Sequence, residues 1–483
     1  MSNANKSSSS SNGGVKKLGR NIIIFSIGSF ASKLAGYLLL PFYTAILTTA
    51  EYGIYDIVLT TVNLLFPIVT LLITEATMRF ALEKETDKRK VFSISFLILL
   101  FGIIVMLAVS PVILFSSVYK KYYIYFVIYF ILNAVSTLIA QFVKGIERTK
   151  EYATSGIIGT VVSLSFNILL MAVIRLGLTG HFIATFIGLI VSSSYLWIKC
   201  DLSIYFTKVK KEDKPLVRDM INYSLPIMPN SLSWWISTSS DKYIISFFFG
   251  ATAIGLYSVA YKIPSLMTVF SSIFLSAWQI SAVEEFGSEK SVKFHRQVYE
   301  YFITFLIIVC SGIVTFTKLI SKILFANAFY NAWNLVPMLV LAYVFHDLAA
   351  FVGSVYTSSK KTKMLFTSTL VGAILNIILN IIIIPKYGAI GGAFTTLVSY
   401  FSVFVVRMID IRKIMIMDTK IFKNSVCLLL LSAQVFVITS NGRFSFVISV
   451  VIILILCLLK LSTVVEILSK LLKTVKSKAI DKK

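Results

Sequence analysis

Charged side chains lie inside stretches of this sequence that are otherwise apolar enough to cross a lipid bilayer. The clearest case is residues 223–257, in which Asp241 and Lys242 stand near the middle. A charged side chain at bilayer depth costs about 2.5–3.5 kcal/mol on insertion scales, so it normally faces a partner or a water-filled cavity. Adjacent residues of a helix point in different directions, so these two cannot simply neutralise each other. The pattern favours a transport path over a simple anchor.

Two more lysines, Lys33 and Lys262, also fall inside predicted membrane spans. Asp241 and Lys262 either tie two neighbouring spans together or line the path, since charges inside a membrane usually pair. Lys33 has no obvious acidic partner at its depth, which favours an anion site over simple snorkelling. We therefore predict a polar, net cationic site that includes Lys33, Asp241, Lys242 and Lys262.

Other polar groups are candidates for coupling or gating. His346 and Asp347 lie at the middle of a predicted span. They could relay a proton or bind a coupling cation, or they could form a packed, hydrogen-bonded polar pair. Arg79 and Glu284 fall at the cytoplasmic ends of spans, where either gating or solvated salt bridges are expected. Pro226 and Pro229 each remove a backbone hydrogen-bond donor. We therefore expect a bend near the start of the helix predicted within residues 223–257.

The composition is that of a polytopic membrane protein. The chain is 57% hydrophobic and 14% charged, and apolar runs of 18 or more residues recur along nearly its whole length. Most of the 46 lysines and arginines fall on alternate connections, on the side of the N-terminus, so both termini are predicted to be cytoplasmic. This alternation explains the net charge of +24 and argues against nucleic-acid binding.

The cysteines and histidines give no sign of a metal centre. The four cysteines form no CxxC pair and the three histidines are dispersed, so we expect buried free thiols and no cofactor.

The spans predict an all-α integral membrane protein with about 14 transmembrane helices. We predict a disordered tail at residues 1–15, followed by an N-terminal lobe of six helices at 16–200. A cytoplasmic linker at 201–222 leads to a C-terminal lobe of six helices at 223–413. Two further helices at 414–463 precede a basic tail at 464–483.

Two short patterns recur in the second half of the chain. Gly53 in Glu-Tyr-Gly-Ile-Tyr corresponds to Gly255 in Ala-Ile-Gly-Leu-Tyr, and Gly177 corresponds to Gly388 in turns of the form Gly-x-x-Gly. Six spans separate the copies, so both halves have the same orientation in the membrane. The sequence therefore predicts a parallel repeat about an axis along the membrane normal, with a transport site between the halves.

These residues resemble a known family. The chain is similar to the polysaccharide-unit flippases (Wzx-like) of the multidrug/oligosaccharidyl-lipid/polysaccharide exporter superfamily. The segments that carry the resemblance are GSFASKLAG (28–36), EYGIY (51–55), SDKYII (240–245), GLYSVAYK (255–262) and NIILN through GAIGGA (376–393). Similar proteins commonly have Arg where this chain has Lys33 and Lys242; Lys keeps the charge but lacks the bidentate fork that Arg offers to phosphate.

The resemblance implies a substrate and partners. It implies that an undecaprenyl-pyrophosphate-linked oligosaccharide crosses a bacterial plasma membrane by alternating access through a cationic central cavity. Besides this substrate, the expected partners are membrane lipids and a polysaccharide polymerase with its chain-length proteins. The alternatives are a cation-coupled multidrug exporter and a flippase for lipid-linked peptidoglycan or teichoic-acid precursors.

The sequence lacks the motifs of several common enzyme classes. The sequence contains no G-x-x-x-x-G-K-[ST], H-E-x-x-H or G-x-S-x-G, the patterns of ATP hydrolysis, zinc proteolysis and serine hydrolysis. A membrane glycosyltransferase or polymerase typically needs a sizeable extramembrane loop, and the connections here are short. We therefore predict a transporter rather than an enzyme.

Overall fold

The computed structural model describes residue 37 and residues 39–111, 120–284, 291–359, 363–415 and 420–480. These residues form helices and connecting turns, and no strand occurs among them. The predicted all-α class is confirmed. The chain divides into two compact units, Met1–Trp235 and Ile236–Lys483.

The first unit contains the helices α1 to α8. In chain order they are α1 (Leu40–Ile46), α2 (Thr49–Thr70), α3 (Ile73–Ala81), α4 (Lys88–Val109), α5 (Tyr123–Gly145), α6 (Thr149–Asn167), α7 (Gly177–Lys199) and α8 (Lys214–Ser224). A further helix, α9 (Met228–Ala260), begins in this unit and continues in the second. Thr48 caps α2 through a reciprocal capping box with Glu51, which satisfies two backbone donors at the helix start.

A sharp break separates α2 from α3. Leu71 and Leu72 both have left-handed backbone angles, with φ of 49° and 51°, a conformation that costs a non-glycine residue about 1–2 kcal/mol. Thr70 Oγ1 accepts a hydrogen bond from the Leu72 amide at 3.2 Å. Gly102 of α4 makes room for the displaced Val69 carbonyl, because a Cβ at Gly102 would lie 2.1 Å from that oxygen. Packing on both sides therefore holds the break in place.

The lysine-rich segment after α7 folds back onto the first unit. Ser93 Oγ donates to the Tyr205 carbonyl at 3.3 Å and accepts from the Thr207 amide at 2.8 Å. Lys90 Nζ lies 2.6 Å from Asp213 Oδ1. A buried apolar cluster that includes Phe92, Phe142, Leu196 and Met220 joins this segment to α3, α4, α5 and α7. Residues of the predicted linker are thus fixed against these helices.

The second unit contains α10 (Lys262–Glu284), α11 (Ser291–Thr315), α12 (Thr317–Leu324), α13 (Val336–Ser358), α14 (Lys363–Asp410), α15 (Ile421–Thr439) and α16 (Ser445–Ile480). The long helices α9 and α14 are each interrupted by a glycine with positive φ, Gly250 at 74° and Gly388 at 58°. Gly177, the first-unit counterpart of Gly388, also has a positive φ of 54°. The two copies of this sequence pattern therefore share a local backbone conformation.

Eleven stretches of the described residues are long and apolar enough to cross a membrane. Two of them, Lys211–Ser272 and Lys363–Lys413, each cover two of the predicted spans, divided at Gly250 and Gly388. The first predicted span lies mostly outside the described residues. The protein is therefore a multi-span integral membrane protein, and the count of fourteen spans stays a prediction.

The predicted bend near the start of α9 takes a different form. Pro226 lies in a single 3₁₀ turn, Leu225–Ile227, and Pro229 is the second residue of α9. Proline is tolerated in the first turn of a helix, where its missing N–H would have no intrahelical partner. The two prolines therefore mark the start of the helix.

The positive φ of Gly388 predicts a measurable cost for a side chain at that position. A Cβ there would make only ordinary contact with the Phe249 ring, at 3.5 Å, so the penalty comes from the backbone. We expect Gly388→Ala to destabilise the protein by about 1–2 kcal/mol, measured as a lower thermal unfolding midpoint in detergent. Gly312→Ala is the control, because Gly312 is helical with open space around its Cβ position. Equal midpoints for the two variants would contradict the assigned turn.

Candidate functional site

Asp241 is a buried carboxylate in α9, and only 1% of its surface is exposed. Its Oδ2 accepts hydrogen bonds from the hydroxyls of Tyr257, Tyr261 at 3.3 Å and Thr396 at 3.2 Å. Its Oδ1 accepts from the backbone amide of Lys242 at 2.8 Å. Hydrogen bonds to the charged form stabilise a carboxylate away from water. Asp241 thus has four donors, and three of them are neutral hydroxyls.

The predicted ion pair between Asp241 and Lys262 is not among these contacts. The ion pairs among the described residues do not include one between these side chains. Lys262 is half-buried at the start of α10. Lys242 is also half-buried, and its Nζ lies 5.9 Å from the centre of the Tyr261 ring. Both lysines belong to the second unit, as does Asp241.

A neutral polar layer adjoins Asp241 on the same helix. Ser240 Oγ donates to Asn376 Oδ1 at 2.9 Å and accepts from Asn380 Nδ2 at 3.2 Å. Asn380 Nδ2 also donates to Asn376 Oδ1 at 2.9 Å, and Thr395 donates to Asn380 Oδ1. These bonds join α9 to both parts of α14, on either side of Gly388. The hydroxyl donors to Asp241 and this neutral layer together link α9 to α14.

His346 and Asp347 lie together on α13, with 2.9 Å between Nδ1 and Oδ1. Asp347 is 1% exposed, and its second oxygen has no hydrogen-bond partner among the described residues. The buried hydroxyl of Tyr400 likewise has none, although the Tyr400 and His346 rings lie 5.1 Å apart. Unsatisfied buried groups are rare in folded proteins and call for an explanation such as a water or an ion.

Tyrosine rings connect these two acidic centres. Tyr343 lies 5.9 Å from Tyr261, which bonds Asp241, and 6.0 Å from Tyr400. The second unit therefore contains one polar interior, which includes two buried carboxylates and several phenol groups.

The remaining predicted residues lie elsewhere. Arg79 forms an ion pair with Glu83 at 2.8 Å, in which both side chains are at least one-third exposed, so it has the solvated salt bridge that was one of its two expected roles. Glu284 is the last residue of α10, and its side chain lies outside the described set. Lys33 also lies outside the described residues.

The sequence analysis missed a buried arginine. Arg407 is 2% exposed and donates to Ser368 Oγ at 2.9 Å, Thr369 Oγ1 at 2.9 Å and the Ala349 carbonyl at 2.7 Å. A Cβ at Gly353 would lie 2.9 Å from its Nη1, so the guanidinium in this position packs closely against the glycine. Arg407 lies near the end of a predicted span, where a basic residue is equally consistent with a solvated connection. The glycine and the hydroxyl pair were the signals that could have revealed it.

A second missed cluster joins the last two helices to α11. Lys460 is 1% exposed and donates to Asn424, which in turn donates to Glu300 at 2.7 Å. Lys460 Nζ lies 3.7 Å from Glu300. Each residue lies near the end of its apolar stretch, where a charge alone does not distinguish burial from snorkelling.

Comparison with known proteins identifies the family. The sequence model of the family described as "Polysaccharide biosynthesis protein" matches residues 18–279, which is more than half of the 483 residues. The chain belongs to this family. The resemblance derived from the sequence motifs is therefore confirmed.

Curated relatives match part of the chain. A probable low-salt glycan biosynthesis flippase of Haloferax volcanii is 23% identical over 57% of this chain and 58% of its own length. An uncharacterised membrane protein of Methanocaldococcus jannaschii is 26% identical over 41% of this chain and 46% of its own length. The chain thus spans about half the length of the curated relatives it matches.

Solved structures share the fold over a longer range. The lipid II flippase MurJ in an inward closed conformation aligns with 92% of this chain and 99% of its own, with a TM-score of 0.68 and 17% identity. An inward-facing multidrug transporter of the MATE family aligns with 81% and 97%, with a TM-score of 0.64 and 14% identity. At these identities the likeness concerns the fold of the exporter superfamily.

The environment of Asp241 leads to a prediction about stability. Asp241→Ala leaves the hydroxyls of Tyr257, Tyr261 and Thr396 without their acceptor, at a cost of about 1–3 kcal/mol. Asp241→Asn keeps an acceptor oxygen, so we expect a smaller loss. The measurement is the thermal unfolding midpoint of the purified variants. Adding Lys262→Met to Asp241→Ala should restore nothing; recovery of the midpoint would show that the two charges do pair.

Proposed function

We propose that this protein moves undecaprenyl-pyrophosphate-linked oligosaccharide repeat units from the cytoplasmic to the outer leaflet of the bacterial plasma membrane. The family match over residues 18–279 carries the proposal, and the probable glycan flippase among its relatives supports it. The units would be assembled into O-antigen, capsule or exopolysaccharide, with a polymerase and chain-length proteins as further partners. The distribution of lysine and arginine supports a cytoplasmic location for both termini.

The charge of the proposed substrate matches the lysines that lie inside the predicted spans. A pyrophosphate with attached sugars cannot cross hydrocarbon unaided, because its charge and hydroxyls need polar or cationic partners throughout. Lys33, Lys242 and Lys262 would supply the cations, while the lipid tail stays in the bilayer. Asp241 is satisfied chiefly by hydroxyl donors, so the charge of this carboxylate does not require either Lys242 or Lys262 as its ion-pair partner.

We assign coupling to the pair His346 and Asp347. Among the described residues, the unpartnered Asp347 oxygen is a buried acceptor that a proton, a water or a small cation would satisfy, and the unpartnered Tyr400 hydroxyl is a donor that a water would satisfy. Binding there would alter a polar interior that also contains Asp241, and so favour one conformation of the second unit over another. Arg79 and Glu284 remain candidates for gating at the cytoplasmic ends of their helices.

Two other cargoes are compatible with the fold. A multidrug exporter is one, since the MATE fold is shared, but exporters of cationic drugs favour acidic cavities and the predicted spans of this chain carry more lysine than acid. A lipid-linked peptidoglycan or teichoic-acid precursor is the other, and it demands the same pyrophosphate or phosphate recognition. Measuring the transport of labelled lipid-linked sugar and of a cationic dye side by side distinguishes a multidrug exporter from the proposed flippase.

Substitutions at Lys33 test the proposal in cells. If its ammonium offsets the substrate pyrophosphate, Lys33→Ala should abolish surface polysaccharide at normal protein abundance. Lys33→Arg should retain activity, because guanidinium keeps the charge and adds a fork suited to phosphate. The measurement is surface-polymer immunoblotting in a deletion strain at matched expression. Lys33→Met is the control for packing, since it keeps the stem without the charge. Robust polymer from Lys33→Met would refute the anion site.

A further inference from the structure

Helix α8 is amphipathic and packs against other helices of the first unit. Met220 and Ser224 are fully buried, and Leu216 and Val217 pack against the apolar cluster below the helix. The ion pair between Lys90 and Asp213 fixes the turn that leads into it. The position of the outward face of α8 is therefore set by the fold.

That outward face carries cations in one row. Lys214, Arg218 and Asn222 follow each other at intervals of four residues, all exposed, so they stand on the same side of the helix. Together with Pro215 and Asp219 they line an open cavity of about 500 Å³ on the surface of α8. Neither Lys214 nor Arg218 forms an ion pair with a described residue. This α8 basic face thus presents two cations and an amide.

Apolar side chains stand exposed near both ends of the same segment. Ile204 and Phe206 precede α8 with 55% and 41% exposure, and Tyr223 and Leu225 at its end have 41% and 43%. A short helix with a basic face and exposed apolar flanks is typical of segments that lie in the membrane interface. By the predicted topology this interface is cytoplasmic, where anionic lipid headgroups attract juxtamembrane cations.

We propose that the α8 basic face binds the phosphodiester of an anionic lipid headgroup that also bears hydroxyls, such as phosphatidylglycerol. Arg218 offers a fork to the phosphate oxygens and Lys214 a second charge, and the Asn222 amide can donate to the same group. Asp219 accepts hydrogen bonds from headgroup hydroxyls and disfavours a more highly charged ligand.

This inference rests on the topology of the proposed function, because the substrate pyrophosphate would reach the same surface. The two sources of phosphate differ in charge, and Asp219 favours the singly charged lipid. Lipid bound here would anchor the segment that leads into α9, the helix that carries Asp241. The site is thus a resident-lipid site on the cytoplasmic side rather than a stage of the transport path.

Native mass spectrometry of the purified full chain with dioleoyl phosphatidylglycerol tests the proposal. Lys214→Gln/Arg218→Gln should weaken binding of this lipid about tenfold, the equivalent of losing about 1.4 kcal/mol of charge-assisted hydrogen bonding. The matched control is Lys84→Gln/Arg89→Gln, an exposed Lys and Arg of the same unit that do not line the cavity. Dioleoyl phosphatidylcholine should bind no variant better than another.

Three results would overturn the assignment: equal weakening in both double variants, binding of phosphatidylcholine to the unaltered protein as strong as that of phosphatidylglycerol, or displacement of phosphatidylglycerol by inorganic pyrophosphate. The last would assign the face to substrate capture. Flipping of lipid-linked oligosaccharide by the same preparation is measured in parallel. Lipid selectivity without flipping would refute the proposed function alone, and flipping without selectivity would refute this inference alone.

Discussion

A charge that leaves water must find its partners inside the protein, and this constraint shapes the second unit. Asp241 is held by three hydroxyls and a backbone amide, and Arg407 by hydroxyls and backbone carbonyls. Among the residues that the structure describes, neither has an opposite charge within ion-pair distance. Neutral hydrogen-bond partners satisfy a buried charged group without neutralising its charge. An ion pair would neutralise it.

The same polar contacts decide which helices stay together. The layer around Asn376 joins α9 to α14, Arg407 joins α13 to α14, and the cluster of Glu300, Asn424 and Lys460 joins α11 to α15 and α16. Polar side chains are effective links between helices in lipid, where apolar packing gives no preference for protein over solvent. The last two helices are therefore joined to the rest of the second unit by buried polar groups as well as by packing.

Residue types and periodicity were sufficient to predict the helical class, the apolar spans and the turns at Gly177 and Gly388, because bilayer thickness and glycine backbone freedom act locally. The partners of Asp241 could not be predicted, since Tyr257 and Thr396 reach it only after the chain has folded. Arg407 and Lys460 were missed because a charge near the end of a span has the same sequence signature whether it is solvated or buried. The break at Leu71 and Leu72 carries no local signal, since neither residue favours a left-handed conformation.

Transport by the reconstituted protein identifies its cargo. The purified protein is placed in liposomes with a fluorescent undecaprenyl-pyrophosphate oligosaccharide, and the fraction accessible to a membrane-impermeant quencher is followed over time, with protein-free liposomes as the reference. If the protein is the proposed flippase, we expect rapid exchange of the lipid-linked sugar between leaflets and no accumulation of a cationic dye in the same vesicles. Dye transport together with sugar exchange no faster than in protein-free liposomes would contradict it.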